Sequence, residues 1–272
     1  MKALKNIIIF YDNYSDVTDY LSEMKKQDRK SINLLMTIIM NKYSEVDASN
    51  LNEYVRGLDY HCEIIYPKSN LGYLNGLLNG YRSSQYKKII SDWVIFSNTD
   101  IVIPDKFFLQ KFFNNEYSED IFCVAPSVYV PENNVYSNPQ YLKRYTKKYL
   151  EKRVKIFSHP TLAYFYFRMS KLKIFFKASK KKESTFVYSA HGSYFILRSK
   201  FLDNLKKDYM SLLYSEEAFI AEEIRLKSGK IFYDSSIEVE HHESQVTSKL
   251  DLNKKSYYIS ESLKKIIGEY FD

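Results

Sequence analysis

The chain has 272 residues, 45% of them apolar and 27% charged, enough to bury a sizeable core in one large domain. No stretch reaches the roughly 18 to 20 uncharged apolar residues that cross a bilayer. Two cysteines, Cys62 and Cys123, exclude a disulfide framework or a Cys-rich zinc site, and the net charge of +7 conceals an uneven distribution.

The first residues run straight into a strand-like Ile7-Ile8-Ile9-Phe10 with no signal-peptide cleavage pattern, so a cytosolic protein is expected. That strand stops at the turn-prone Asp12-Asn13-Tyr14-Ser15-Asp16, and a helix is expected from there to Lys30. Residues 34–40 and 62–66 form further apolar runs, the latter ending at Pro67; residues 70–81 read as helix and 92–97 as a fourth strand. Strands alternating with helices predict an α/β fold with a mostly parallel sheet, in which ligands bind beyond the carboxyl ends of the strands. Residues 1–135 therefore form the expected ligand-binding half.

Residues 136–185 break this rhythm. Between 141 and 182 lie fourteen Lys or Arg and one acid, Glu151, a local balance of +13. Tyr141, Tyr145 and Tyr149 recur at i, i+4 and i+8, which predicts one helix face, with Lys143, Arg144, Lys147 and Lys148 beside it. Further aromatic and apolar runs at 163–168 and 172–176, then Lys180-Lys181-Lys182, complete a basic insertion of one or two helices. Such charge implies an anionic partner: a membrane surface, a phosphate or a nucleic acid.

Regular structure resumes with a strand-like run at 186–197, containing His191-Gly192-Ser193. A helix over 217–228 has Ile220 and Ile224 on one face and Gly229 as its expected C-cap. Short strands are expected at 231–233 and 237–239. Residues 251–272 carry Ile259, Leu263, Ile266 and Tyr270 on one face of an amphipathic helix.

Four constellations could carry chemistry. Asn98-Thr99-Asp100 follows a strand, where an acid can hold a divalent cation against a diphosphate; an Asx-type turn is the alternative. Asn70-Leu71-Gly72-Tyr73 opens a helix with glycines at 72, 76 and 80, which permit close approach of a ligand or simply of a neighbouring element. Glu216-Glu217 begins a helix, suiting either a general base or favourable placement at the helix dipole. In Val239-Glu240-His241-His242-Glu243-Ser244, adjacent side chains on a strand point to opposite sides, so only one histidine can face a given site.

Taken in order, Asn13, Asn70-x-Gly72-Tyr73-x-x-Gly76, Asn98-Thr99-Asp100, Gly192-Ser193, Glu216-Glu217 and Val239-x-His241 resemble the family 2 glycosyltransferases over roughly residues 5 to 250. Within that family the motifs most resemble the rhamnosyltransferase-like enzymes of bacterial surface-polysaccharide assembly. The resemblance implies a GT-A fold and inverting sugar transfer from a nucleotide-diphosphate sugar to a glycan or lipid-linked acceptor. It also implies a divalent metal (Mn2+ or Mg2+) at Asp100, with His241 near the metal and diphosphate. Asn13, Asn70, Gly72, Tyr73, Gly76, Asn98, Gly192 and Ser193 would then contact the donor, and Glu217 or Glu216 would be the base. Three departures stand out: Met40-Asn41 replaces the usual Asp-Asn, Asn79 takes the place of an Asn near Leu78, and Glu217 replaces the usual Asp.

Two rivals compete with that reading. A nucleic-acid-binding protein would use the interleaved aromatic and basic residues of 141–182, but no nucleic-acid motif accompanies them, and no nucleic-acid partner is expected. A non-catalytic nucleotide-sugar-binding scaffold would keep the fold and lack the base. A peripheral position at the inner face of an anionic membrane suits the basic segment better.

Overall fold

The computed structural model describes residues 1–175, 180–242 and 251–271. Phe176, Glu243 and Ser244, named above for their place in an apolar run and a strand end, lie outside those residues.

Strands β1 (Lys2–Tyr11), β2 (Ile32–Lys42), β3 (His61–Ile65) and β4 (Trp93–Ser97) pair in the order β3-β2-β1-β4, all parallel. Alternation along β1 explains its place at the centre. Ile7 and Ile9 face one hydrophobic cluster, while Leu4, Ile8 and Phe10 face the other, so both surfaces are covered. Helices α1 (Tyr14–Lys26), α2 (Glu45–Arg56) and α4 (Phe108–Asn114) cover the second surface. Helix α3 (Tyr73–Ser83) covers the first.

Glycines 76 and 80 do not line an open cleft. A Cβ at 76 would lie 2.6 Å from Cδ1 of Ile9, and one at 80 would lie 2.7 Å from Cγ2 of Ile7. Of the two readings of this spacing, close packing of α3 on the sheet is the one realised.

The sheet continues through β9 (Tyr194–Arg198), which runs antiparallel between β4 and β6 (Ile121–Val130). Beyond β6 lies β10 (Lys230–His241), parallel to it, and then β5 (Ile101–Val102), antiparallel to β10. Short strands β7 (Val135–Tyr136) and β8 (Thr185–Val187) pair with β6 and β10 respectively, and a short helix, α7 (Ser199–Asn204), follows β9.

Two expectations about strands change. The run at 186–197 is split into β8 and β9, because residues 188–193 leave the sheet as a loop that bridges to Tyr141. The two short strands at 231–233 and 237–239 are one strand, β10, whose pairing to β6 slips between Asp234 and Glu238. The left-handed residue ending helix α8 (Glu216–Leu226) is Ser228, φ 57°, rather than Gly229. Gly229 is needed instead for space: a Cβ there would lie 2.2 Å from the Phe122 ring.

The basic insertion is two helices, α5 (Lys147–Phe157) and α6 (Pro160–Phe175). The tyrosines at 141, 145 and 149 do not share a helix, since Thr146 caps α5 by accepting from the Tyr149 amide. Their rings meet all the same, with centroids 4.6 Å apart for Tyr141–Tyr145 and 5.7 Å for Tyr145–Tyr149. Helix α5 packs on the last helix, α9 (Leu252–Tyr270), where Ser158 and Ser260 hydroxyls lie 2.7 Å apart. Arg144 anchors the insertion to α8 by donating from both Nε (2.7 Å) and Nη2 (3.0 Å) to the buried Glu222 carboxylate. Burial raises the Glu222 pKa, but hydrogen bonds from Arg144, Tyr188 and Arg225 outweigh it and leave the group below the usual carboxylate range.

Candidate active site

The carboxyl ends of β1 and β4, together with the loop before β9, converge on one region. Asn13 stands just beyond β1, where its Oδ1 accepts from the Tyr11 amide at 2.7 Å. Its Nδ2 donates to Thr99 Oγ1 at 2.7 Å, tying the first strand's turn to the Asn98-Thr99-Asp100 segment. The Asn98 amide donates to the Ser193 carbonyl at 2.8 Å, bringing the third piece alongside.

Asp100 and His241 form a pair. The imidazole Nε2 lies 3.2 Å from Asp100 Oδ1 and 3.4 Å from Asn98 Nδ2, with the two paired side chains only 9% and 12% exposed. The antiparallel β5–β10 pairing places His241 opposite Ile101 and makes this approach possible. His242 points away, its Nδ1 3.0 Å from Glu132, as strand alternation requires. Among the described residues, no three His, Cys, Asp or Glu side chains converge on a point. Asp100 and His241 thus bring one carboxylate oxygen and one imidazole nitrogen together, donor types that could hold a divalent cation.

His191 links this pair to the acidic one, its ring centroid 5.5 Å from that of His241. Its enclosed position, then the neighbouring His241, push the His191 pKa down to about 3, so the ring is neutral near pH 7. His191 Nδ1 lies 2.8 Å from the Ser193 hydroxyl, and its amide donates to Asn138 Oδ1 at 2.7 Å.

Gly192 comes next in the chain and touches Glu217. Helix α8 begins after two residues in the left-handed region, Tyr214 (φ 66°) and Ser215 (φ 64°), a strained entry that turns its first side chains inward. Ser215 does not cap the helix with its side chain; its hydroxyl meets Ser262 of α9 at 2.9 Å. Glu216 is buried, and burial followed by the charge of Glu217 pushes its pKa up to about 8. Glu217 is only partly enclosed. Burial raises its pKa as well, against the pull of backbone amides at 217 and 192, the Gln140 side chain and the Arg153 charge.

Tyr73 bridges the two sides, its hydroxyl donating to the Gly192 carbonyl at 3.0 Å. Burial and the charges of Glu216, Asp100 and Glu217 hold its pKa well above the ordinary phenol value, so it remains a donor. The tyrosine is positioned by Gly72, whose φ of 76° a side chain would strain and whose Cβ would lie 2.3 Å from the Leu212 carbonyl oxygen. Asn70 Oδ1 accepts from the Gly72 amide at 2.9 Å.

The residues singled out from sequence, Asn13, Asn98, Asp100, Gly192, Ser193, Glu217, His241 and Tyr73, therefore sit in one connected cluster. Glu216 lies beneath it, and Gly76 packs against the sheet. Sequence reading missed three contributors. Asn41, noted only as a departure from the usual Asp-Asn, holds the 70–72 loop by donating to the Gly72 carbonyl at 2.8 Å. Its signal was a polar residue ending an apolar run. Gln140 and Arg153 belong to the insertion, where no periodic pattern marks them.

No protein-family model and no curated protein sequence matches the chain. Solved structures do. GalNAc-T7 with UDP, GalNAc and Mn2+ superposes over all of this chain and 48% of its own, at 12% identity and a TM-score of 0.66. Residues 1–349 of TarS from S. aureus with UDP-GlcNAc match over 100% of this chain and 68% of that one, at 13% identity and a TM-score of 0.62. The fold is of the GT-A type. A mannosyltransferase from Pyrobaculum calidifontis, PcManGT, with GDP-Man and Mn2+, matches over 97% of this chain and 74% of its own, at 10% identity and a TM-score of 0.57. This chain spans about half the length of GalNAc-T7. At these identities the likeness concerns the GT-A architecture, and the chemistry has to be argued from the side chains.

Proposed function

We propose that the protein is an inverting glycosyltransferase, moving a sugar from a nucleotide-diphosphate sugar to a hydroxyl of a glycan or lipid-linked acceptor. The observation that carries this reading is the junction at residues 191–193. The His191 ring meets His241 beside Asp100, while the next residue, Gly192, meets the Glu217 carboxylate. A group that can hold a cation and a group that can take a proton are thereby joined across one short loop.

Donor contacts fall to Asn13, Asn70, Gly72, Tyr73, Asn98, Gly192 and Ser193, with Gly76 acting by letting α3 close on the sheet. Asp100 and His241 are the residues that would hold a divalent cation, Mn2+ or Mg2+. When bound, that cation would supply positive charge for the departing diphosphate. Glu217 accepts the proton of the acceptor hydroxyl, whose oxygen bonds to the anomeric carbon as the bond to the diphosphate breaks on the opposite face. Glu217 is preferred to Glu216 because its carboxylate is less enclosed and reaches the loop. Tyr73 holds the Gly192 carbonyl and so keeps the loop against the base.

The donor half is residues 1–135 and the acceptor half 186–250, with 136–185 and 251–272 closing the acceptor side of a single GT-A unit. The resemblance carried by the sequence motifs supports a role in bacterial surface-polysaccharide assembly, on the rhamnosyltransferase-like branch. The basic segment suits an acceptor at an anionic membrane. The neighbours bound to UDP, UDP-GlcNAc and GDP-Man support the donor class. A thermal-stabilisation screen of nucleotide-diphosphate sugars, with Mn2+ and with EDTA, tests the reading. At least one donor should raise the melting temperature, more so with Mn2+; no response across the panel contradicts it.

A further inference from the structure

The apolar side chains of helix α6 are spread around the helix rather than gathered on one face, and apolar surface of that kind is normally buried. This one is covered on one side only. Ala163 is fully buried, while Tyr166 and Phe167 pack on Phe157 at centroid distances of 5.1 and 5.5 Å. The other side carries Leu162, Phe165, Met169 and Leu172, which are 49%, 64%, 54% and 52% exposed. Their spacing of three, four and three residues puts all four on a single stripe of the helix. Single exposed apolar residues are ordinary on protein surfaces; a continuous stripe of four large ones marks an interaction surface.

Charge decides between occupants. The stripe lies within residues 141–182, whose local balance is +13, and Arg168 stands beside it with its side chain exposed. A second copy would bring the same excess of positive charge to the contact and be repelled. A bilayer with anionic headgroups accepts apolar side chains at its acyl boundary and basic ones at its surface.

We propose that the outer face of α6, formed by Leu162, Phe165, Met169 and Leu172 with Arg168 beside them, docks on the surface of an anionic lipid bilayer. The apolar stripe holds the protein there, and the basic residues steer it. No helix among the described residues is long and apolar enough to cross a membrane, and the docking proposed is at the bilayer surface. Its inner face looks toward the site: the Tyr166 ring centroid is 5.7 Å from the Arg153 guanidinium, whose charge acts on Glu217. Docking would thus set the acceptor side of the proposed site against the leaflet. That purpose rests on the glycosyltransferase reading above, whereas the docking itself does not.

The experiment is co-sedimentation of the full chain with vesicles of phosphatidylcholine alone or mixed with phosphatidylglycerol, at low and raised salt, without donor or acceptor. The chain should bind the mixed vesicles, and part of that binding should persist in salt, because burial of apolar surface is not screened. Phe165→Gln with Met169→Gln should lower partitioning at least about tenfold at either salt. Arg168→Gln should weaken only the salt-sensitive part. Leu162→Gln with Leu172→Gln is the second variant, used if circular dichroism shows the first unfolded. Nucleotide release from a donor in the absence of vesicles should be the same for variants and wild type. Absence of release in all of them, with vesicle binding intact, would defeat the enzymatic reading and leave the docking standing. Equal vesicle binding by variant and wild type, or binding abolished by salt, overturns the docking. So does a wild-type dimer in solution that the stripe variants convert to monomer.

Discussion

The carboxylate of Glu217 rests on the backbone of Gly192. A Cβ at residue 192 would lie 2.8 Å from Oε1 and 3.3 Å from Cγ of that side chain. Glu217 and any side chain at 192 therefore compete for the same space. Gly192→Ala should push the carboxylate aside with little loss of stability, because the flexible side chain can move. A displacement of about 1 Å at a reacting group can cost about 10²-fold in rate. Steady-state kinetics should show kcat lowered by that order with the melting temperature nearly unchanged; an unaltered kcat would remove Glu217 from the reaction.

Substitution of the acids separates the base from its neighbour. A positioned general base contributes about 10²- to 10⁴-fold, so Glu217→Gln should lower kcat by that factor while donor binding stays close to wild type. Glu216→Gln should cost far less, since its carboxylate is buried. The opposite ranking in single-turnover rates would exchange the two roles.

The same pair makes stability depend on pH. Burial lifts the Glu216 pKa from 4.5 to about 8, so the folded chain holds a proton that the unfolded chain has lost. A raised carboxylate pKa gives stability that is complete below the unfolded value and is lost as pH rises through the folded value. Thermal unfolding should therefore show a decline between about pH 4.5 and pH 8. Glu216→Gln should flatten that decline and stabilise the protein at its alkaline end. The raised Glu217 pKa acts on rate in the other sense, placing the acid limb of kcat above the ordinary carboxylate range. A wild-type slope retained in Glu216→Gln would show that other groups set the pH dependence.

Much of this arrangement could be read from the sequence because its signals are local. Ile7 to Phe10, residues 34–40 and residues 92–97 announce strands by apolar runs, and the site lies just beyond their carboxyl ends. Asn98, Asp100, Glu217 and His241 were legible because each stands at the end or start of an element. Contacts made through space were not. Tyr141, Tyr145 and Tyr149 have helical spacing, yet the cap at Thr146 starts the helix between them, and their rings meet through a loop. Gly76 has the same spacing as Gly72, but only Gly72 takes a left-handed backbone, while Gly76 is filled by Ile9. Asn41 and Arg153 reach the site through tertiary packing that no period in the sequence records.

The most direct test of glycosyl transfer is nucleotide release from a panel of nucleotide-diphosphate sugars, comparing the wild-type chain with Asp100→Ala, in Mn2+ and in EDTA. Asp100 pairs with His241 at 3.2 Å and stands next to Asn98-Thr99, so its loss should remove the proposed cation ligand without unfolding the sheet. The wild type should release nucleotide from at least one donor in Mn2+ and stop in EDTA. Asp100→Ala should release none in either, with a melting temperature near that of the wild type. Undiminished release in EDTA together with an active, folded Asp100→Ala chain would contradict the assignment.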